Sequence, residues 1–166
     1  MMRPLGWRAS VRAEVITGRF RNKASGEGPY SLPASAEVGL PILDDAHAAL
    51  LARLNAAHAD LAVGDQASAR LQLETLRTDL GTHFDIEEQI MQALGFAGMR
   101  QHIRRHATSA AQLDAICRAS FERGALQVSD LDLCYQSLID EILRGDLDLK
   151  SRFQSMSNRP KQRQGA

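Results

Sequence analysis

Apolar residues recur every three or four positions through most of the chain, a period that predicts helices. The first predicted helix follows Gly39-Leu40-Pro41, has Asp44 or Asp45 as its N-cap, and ends before Gly64. Three further helices are predicted over about Ser68 to Leu94, Gly98 to Arg123 and Ser129 to Phe153. Loops of a few residues join such long helices only as antiparallel neighbours. The pattern therefore predicts an all-α fold, an up-down-up-down four-helix bundle.

Each predicted helix has one stripe that we expect to face the bundle core. Histidines, cysteines and carboxylates share these stripes with the leucines. The inward positions are His47, Leu50, Leu51, Leu54, His58 and Leu61 in the first helix; Leu76, Leu80, His83, Phe84, Glu87, Ile90 and Met91 in the second; Met99, His102, Ile103, His106, Leu113, Cys117 and Phe121 in the third; and Leu131, Cys134, Leu138, Glu141, Ile142 and Leu149 in the fourth.

Charge divides the chain into three parts, although its formal net charge is zero. Residues 1–30 hold six bases against two acids and residues 151–166 hold four bases and no acid, so each end carries +4 and the middle −8. We predict a disordered basic arm over residues 1–36, a bundle over 37–154 and a disordered basic tail over 155–166. A start site placed too early, or a targeting or partner-binding arm, are the alternatives for residues 1–36.

Composition excludes two classes of protein. No run of 18 apolar residues is present, so we expect no membrane-spanning helix. An acidic middle region argues against nucleic-acid binding, which needs Lys and Arg gathered on a folded surface. The protein partner of the basic ends stays unknown.

Two cysteines are too few for a disulfide framework, which favours a reducing compartment, the cytoplasm. Cys117 and Cys134 flank the third loop, and they are interpreted as buried free thiols, a redox-sensitive disulfide or part of a second metal site. His58 lies eleven residues after His47, about 16 Å along a helix, and is too distant to share a metal with it.

Four of the five histidines and three carboxylates fall on the inward stripes at one level of the predicted bundle. Burying a lone charge costs several kcal/mol unless the charge is paired or binds a metal. His83 and Glu87 are spaced i, i+4, as are His102 and His106, so each pair projects from one helix face. Imidazole and carboxylate together are donors for iron, zinc or manganese. The stripes therefore predict a metal site inside the bundle.

The motifs that carry these donors resemble those of the hemerythrin family, in particular its bacterial single-domain members. They read Val38-Gly39-Leu40-Pro41-Ile42-Leu43-Asp44-Asp45-Ala46-His47, then His83-Phe84-Asp85-Ile86-Glu87-Glu88-Gln89-Ile90-Met91, then His102-Ile103-Arg104-Arg105-His106. The interval of 19 residues between His83 and His102 is also similar to the family's. The resemblance extends from about Val38 to Phe153.

This resemblance implies a centre of two non-haem iron ions, bridged by an oxo or hydroxo group and by two carboxylates. His47 and His83 would bind one iron. His102, His106 and the residue at position 141 would bind the other, with Glu87 and Asp146 as the bridges. The first iron then has five donors and the second has six. The open position is where the family binds dioxygen.

Glu141 is the main departure, because the family has a histidine five residues before the bridging aspartate. Three interpretations stay open for Glu141: a terminal iron ligand, a side chain turned to solvent, or a centre that has lost its metal. As a ligand it would add a negative charge, and we expect such a centre to oxidise more readily than a typical hemerythrin.

The resemblance favours a protein that binds dioxygen for storage, delivery or sensing, and no catalytic residue is assigned. One alternative is a di-iron enzyme that reduces peroxide or nitric oxide. The other is an iron-responsive structural or regulatory module. In each case the expected partner of the centre is dioxygen, peroxide or another small diatomic ligand.

Overall fold

The computed structural model describes residues 28–157, without the side chains at positions 147, 152, 153, 156 and 157. Within this part every regular element is helical and none is a strand. A 3₁₀ turn, Ala34–Ala36, precedes four long helices, and the last of them continues through a π-helical turn into a fifth. The helices are α1 (Pro41–Ala62), α2 (Gln66–Ala93), α3 (Met99–Glu122), α4 (Val128–Glu141), the π-helical turn (Ile142–Asp146) and α5 (Leu147–Ser157). The all-helical prediction is confirmed.

The four long helices pack around a common core. α1 packs on α2, α2 on α3, α3 on α4, and α4 returns to α1. One group of buried apolar residues, including Leu54, Leu76 and Leu131, fills the part of the bundle near the loop between α3 and α4. A second group, around Leu43, Met91 and Leu149, lies at the other end. None of the helices in the described part combines the length and apolarity needed to span a bilayer.

The start of α1 differs from the prediction that Asp44 or Asp45 caps it. The helix begins at Pro41, in the first-turn position where a missing N–H costs nothing, and Leu40 precedes it without a side-chain cap. Asp44 instead accepts hydrogen bonds from the backbone N–H groups of Val38 and Gly39, at 2.7 and 2.9 Å. Its carboxylate thus fixes the turn that enters the helix.

The fourth predicted helix, Ser129 to Phe153, is not continuous. α4 ends at Glu141, and the π-helical turn Ile142–Asp146 separates it from α5. In a regular α-helix residues five apart point about 140° away from each other, whereas i→i+5 bonding in a π turn stacks them. The wider turn therefore brings Glu141 and Asp146 to the same side, where both are buried.

The predicted inward stripes are mostly buried or half-buried, and one position is wrong. Phe121 is 75% exposed, and the guanidinium of Arg70 lies 5.8 Å from its ring centroid. Ser120 is the buried residue at this end of α3, and Leu126 from the following loop fills the adjoining core. The last turn of α3 therefore faces the core with a different side from the one that the helical period predicts.

Part of the predicted disordered arm is folded. Tyr30 is buried, and both of its backbone polar groups bond to the Asn55 side chain, at 3.0 and 2.9 Å. Its hydroxyl donates to Asp132 at 2.9 Å, so the segment 28–36 ties α1 to α4. The packed unit thus begins before residue 37. Residues 1–27 and 158–166, the rest of the predicted arm and most of the tail, lie outside the described residues.

We expect Tyr30→Phe to lower the free energy of unfolding by about 1 kcal/mol, because it removes the bond to Asp132 without changing the packing. Urea denaturation of the two proteins measures the difference. Tyr135→Phe is the matched control: its hydroxyl bonds to the Ser31 carbonyl in an exposed position, where water replaces it at a cost under about 0.5 kcal/mol. An unchanged free energy of unfolding in Tyr30→Phe would contradict the docking of this segment through Tyr30.

Candidate metal centre

The four helical elements bring all seven predicted donors to one level inside the bundle. α1 supplies one donor, α2 and α3 supply two each, and the region from the end of α4 through the π turn supplies two. All are buried, and Glu141, at 7%, is the most exposed of them. In chain order the donors are His47, His83, Glu87, His102, His106, Glu141 and Asp146.

Two groups of three donors are each arranged closely enough to hold a metal ion. The first consists of His47, His83 and Asp146, whose ligand atoms all lie within 4.8 Å of one another. His47 Nε2 lies 2.8 Å from Asp146 Oδ2, and His83 Nε2 lies 3.9 Å from the same oxygen. We call this group the first triad.

The second triad consists of Glu87, His102 and His106, again within 4.8 Å. Glu87 Oε2 lies 3.2 Å from Nε2 of both histidines. The same oxygen lies 3.8 Å from Nε2 of His83, a member of the first triad. The two triads are therefore neighbours, and Glu87 lies between them.

Glu141 belongs to neither triad but borders the second. Its Oε1 lies 3.8 Å from His106 Nε2, and its Oε2 accepts a hydrogen bond from the Ser109 hydroxyl at 2.8 Å. The side chain is only 7% exposed. The interpretation in which Glu141 turns to solvent is therefore wrong.

The hydrogen bonding of the centre tests whether the donors fit metal ions. Buried polar groups are nearly always paired, yet a set of buried donor atoms has no hydrogen-bond partner within the described part of the chain. His47 Nε2 and Asp146 Oδ2 approach to 2.8 Å without hydrogen-bond alignment. One nitrogen of each neutral imidazole and the carboxylate oxygens carry lone pairs that fit cations. The unpartnered donor atoms are His47 Nδ1 and Nε2, His83 Nδ1, Glu87 Oε1, His102 Nδ1 and Nε2, Glu141 Oε1, and both oxygens of Asp146.

The electrostatics of the first triad also favour a cation. Burial lowers the pKa of His83 to about 3, assisted by His47, and burial lowers the pKa of His47 as well. Both imidazoles are therefore neutral near pH 7, the form that binds metals. Burial and the charge of Glu87 raise the pKa of Asp146 well above its usual value. A metal cation would reverse that rise by compensating the carboxylate charge.

In the second triad the histidines stabilise a carboxylate. Burial raises the pKa of Glu87, but the neighbouring imidazoles of His102 and His106 outweigh it and bring that pKa below its usual value. Burial lowers the pKa of His106, but its bonds to Glu87 and Glu88 outweigh it and raise the pKa. The Glu87 carboxylate is thus ionised, ready to bind a cation.

Three further residues support the second triad: Phe84, which the stripe of the second helix predicts to face inward, and Glu88 and Ser109, which the sequence does not single out. Glu88 Oε1 lies 3.1 Å from His106 Nδ1, in hydrogen-bonding geometry, and Phe84 stacks on the His106 ring at 3.8 Å between centroids. Ser109 bonds to Glu141. Ser109 lies seven residues after His102 and three after His106, so helical spacing could have identified it.

Gly145 is a third missed residue. A Cβ at this position would lie 2.9 Å from Glu141 Oε1 and 3.2 Å from His102 Cε1, so a larger residue would have to displace the Glu141 carboxylate and press on the His102 ring. A lone glycine inside a helical pattern, which often indicates close backbone approach, is the signal that could have found it.

The remaining candidates lie outside both triads. Cys117 is half-buried and Cys134 is buried, and both are free thiols. Burial raises the pKa of Cys134 to about 12, so its thiolate is rare near pH 7. His58 packs edge-on against Tyr30, with 6.0 Å between ring centroids. The disulfide is therefore not formed, and His58 has a packing role.

Comparisons with protein-family models, with curated proteins and with solved structures find no match to this chain. The residues of the centre form two adjacent buried triads of imidazole and carboxylate groups that could each hold a metal ion.

Proposed function

We propose that this protein is a non-haem di-iron protein of the hemerythrin type that binds dioxygen. The observation that carries the proposal is the division of buried donors into two neighbouring triads, with Glu87 Oε2 within 3.8 Å of histidines from both. Buried charges are costly unless they are paired or bind metals, and neither triad contains a Lys or Arg side chain that would pair with its carboxylate. The choice of iron as the metal and dioxygen as the ligand follows from the resemblance of the motifs to those of hemerythrins.

The helix contacts support an up-down-up-down arrangement. His47, near the start of α1, contacts Asp146, just after the end of α4. Glu87, near the end of α2, contacts His102, near the start of α3. Ser137 in the later half of α4 bonds to Gln112 in the middle of α3, and Arg123 just beyond α3 pairs with Asp130 in the first turn of α4. Antiparallel neighbours give such contacts.

We assign the donors to the two ions as the resemblance implies. His47 and His83 would hold one ion, His102, His106 and Glu141 would hold the other, and Glu87 and Asp146 would be shared. An iron pair would supply two electrons and an open coordination position for dioxygen. The protein contributes fewer terminal donors to the first triad, so we place the binding position there.

The surrounding residues hold the donors and keep water out. Glu88 Oε1 pairs with Nδ1 of His106, and with the proton on Nδ1 the lone pair of Nε2 would face the metal beside Glu87. Phe84 covers the face of the same ring. Leu43 and Leu50, one turn to either side of His47, are almost fully buried and close the centre along α1. These contacts fix the imidazoles before any ligand arrives.

Iron content and the optical spectrum test the proposal. The full chain is loaded anaerobically with ferrous iron, desalted, and examined reduced, in air and again without oxygen. We expect about two irons per chain and a visible band that appears in air and is lost when oxygen is removed. A preference for zinc or manganese would contradict the di-iron assignment. Sustained turnover of excess peroxide or nitric oxide would indicate an enzyme instead, and iron-dependent folding without a reversible band would indicate a structural module.

We expect Glu141→His to slow the air oxidation of the reduced protein several-fold. A neutral imidazole in place of a carboxylate stabilises ferric iron less, because the protein then supplies one negative charge fewer. Stopped-flow spectra of both proteins measure the rate. Asp140→Asn is the matched control, since it removes the adjacent but exposed carboxylate and is expected to leave the rate unchanged. Faster oxidation of Glu141→His would reject the argument.

A further inference from the structure

The carboxylate of Glu141 is engaged on one side only. Its Oε2 accepts a hydrogen bond of 2.8 Å from the hydroxyl of Ser109, and both side chains are buried. Its Oε1 has no hydrogen-bond partner among the described residues and lies 3.8 Å from His106 Nε2. A buried carboxylate oxygen without a partner is costly unless a cation binds it.

The hydroxyl of Ser109 departs from the usual behaviour of hydroxyls on helices. Ser and Thr side chains within helices commonly bond to a carbonyl one turn earlier, and the adjacent Thr108 does so with Arg104 at 3.0 Å. Ser109 instead reaches across to α4. The Ser109 hydroxyl thus donates to the Glu141 carboxylate and not to a backbone carbonyl of α3.

Gly145 in the π turn leaves room for the other oxygen of Glu141. A Cβ at this position would lie 2.9 Å from Oε1, so a larger residue would displace the carboxylate. The Ser109 hydroxyl is therefore the group that orients the carboxylate, while the glycine leaves the place of Oε1 open.

We propose that Ser109 is a positioning residue that holds Glu141 so that Oε1 binds the metal ion of the second triad. This inference rests on the proposed di-iron function. It adds an explanation of how this chain orients a carboxylate at position 141, where the hemerythrin family has a histidine. A carboxylate rotates more freely than a ring that is packed on both faces, and a hydrogen bond to one oxygen orients the other. Outer-shell bonds of this kind commonly contribute about 10–100-fold to metal affinity.

Release of ferrous iron to a chelator tests the proposal, because its rate reports how tightly each ion is held and does not depend on an activity assay. The full chain is loaded anaerobically, and iron release is followed at one chelator concentration. We expect two phases in the parent protein. Ser109→Ala should accelerate one phase by about 10-fold or more and leave the other unchanged. Thr108→Ala, the matched control, should release both irons like the parent.

A double-variant comparison separates positioning from packing. If Ser109 acts through Glu141, adding Ser109→Ala to Glu141→Ala should change the release rate no further. Ser109→Thr keeps the hydroxyl and should restore slow release. Circular dichroism of the metal-free variants verifies that each is folded.

Three results would overturn the proposal: parent-like release from Ser109→Ala, release from Ser109→Thr as fast as from Ser109→Ala, or an undiminished effect of Ser109→Ala in the Glu141→Ala background. Each of them leaves the di-iron centre of the parent intact. A parent protein that retains no iron would reject the proposed function itself and this inference with it, so the two failures are distinguishable.

Discussion

Replacing Glu87 by glutamine is expected to remove both irons from the protein. Glu87 is fully buried, and its Oε2 lies 3.2 Å from Nε2 of His102 and of His106 and 3.8 Å from Nε2 of His83. Glutamine fills the same volume but is uncharged, and its NH₂ group cannot bind a cation. Changing a residue that only contacts a metal ligand costs about 10–100-fold in metal affinity. Since Glu87 is proposed to bind both ions itself, we expect the affinity for each ion to fall by at least about 100-fold.

Iron analysis after desalting measures this effect, with circular dichroism to show that the helices persist. Glu74→Gln is the matched control, because it makes the same chemical change on an exposed position of the same helix. We expect the control to retain about two irons, as the parent does. Retention of both irons by Glu87→Gln would show that this carboxylate does not bind metal.

Removal of iron is expected to destabilise the protein strongly. Without metal, three carboxylates and four imidazoles are buried together, and many of their polar atoms have no hydrogen-bond partner within the described residues. A ligand at 1,000 times its Kd stabilises a protein by about 4 kcal/mol per site, so two ions contribute about 8 kcal/mol. For a chain of this length the Tm should fall by on the order of 20 °C.

Thermal unfolding with ferrous iron, and again after chelation, measures this difference. The Glu87→Gln protein is the control, since its Tm should not respond to iron. The same Tm for the parent with and without iron would contradict metal binding by the buried donors. A rise with zinc that exceeds the rise with iron would contradict the identity of the metal.

The helices and the donors could be predicted from the sequence because both depend on local periodicity. The i, i+4 spacing of His83 with Glu87, and of His102 with His106, fixes which face of a helix they share. A polar group on an apolar stripe then either destabilises the core or belongs to a functional site. The structure brings all seven predicted donors to one level.

The π turn could not be predicted, because its effect depends on tertiary contacts. We predict both Glu141 and Asp146 on the inward side of the fourth helix, although residues five apart in a continuous α-helix point about 140° away from each other, and both are indeed buried at the centre. Only the backbone shift at Ile142–Asp146 resolves that conflict. The role of Gly145 follows from that shift, since it depends on how closely His102 approaches the turn.

The boundary of the folded unit was missed for a different reason. Residues 28–36 have no period of their own, and Pro and Gly in the surrounding segment favoured disorder. Tyr30 docks through Asn55 and Asp132, which lie 25 and 102 residues away in sequence. Such pairings are long-range and leave no local pattern.

Diffraction from crystals of the iron-loaded protein at the iron absorption edge shows whether the buried donors bind a pair of irons, because anomalous scattering locates the metals independently of the protein atoms. We expect two anomalous peaks, one within the first triad and one within the second, with Glu87 and Asp146 contacting both. Histidines that bond only to one another and to water at that level, with no peak between them, would contradict it.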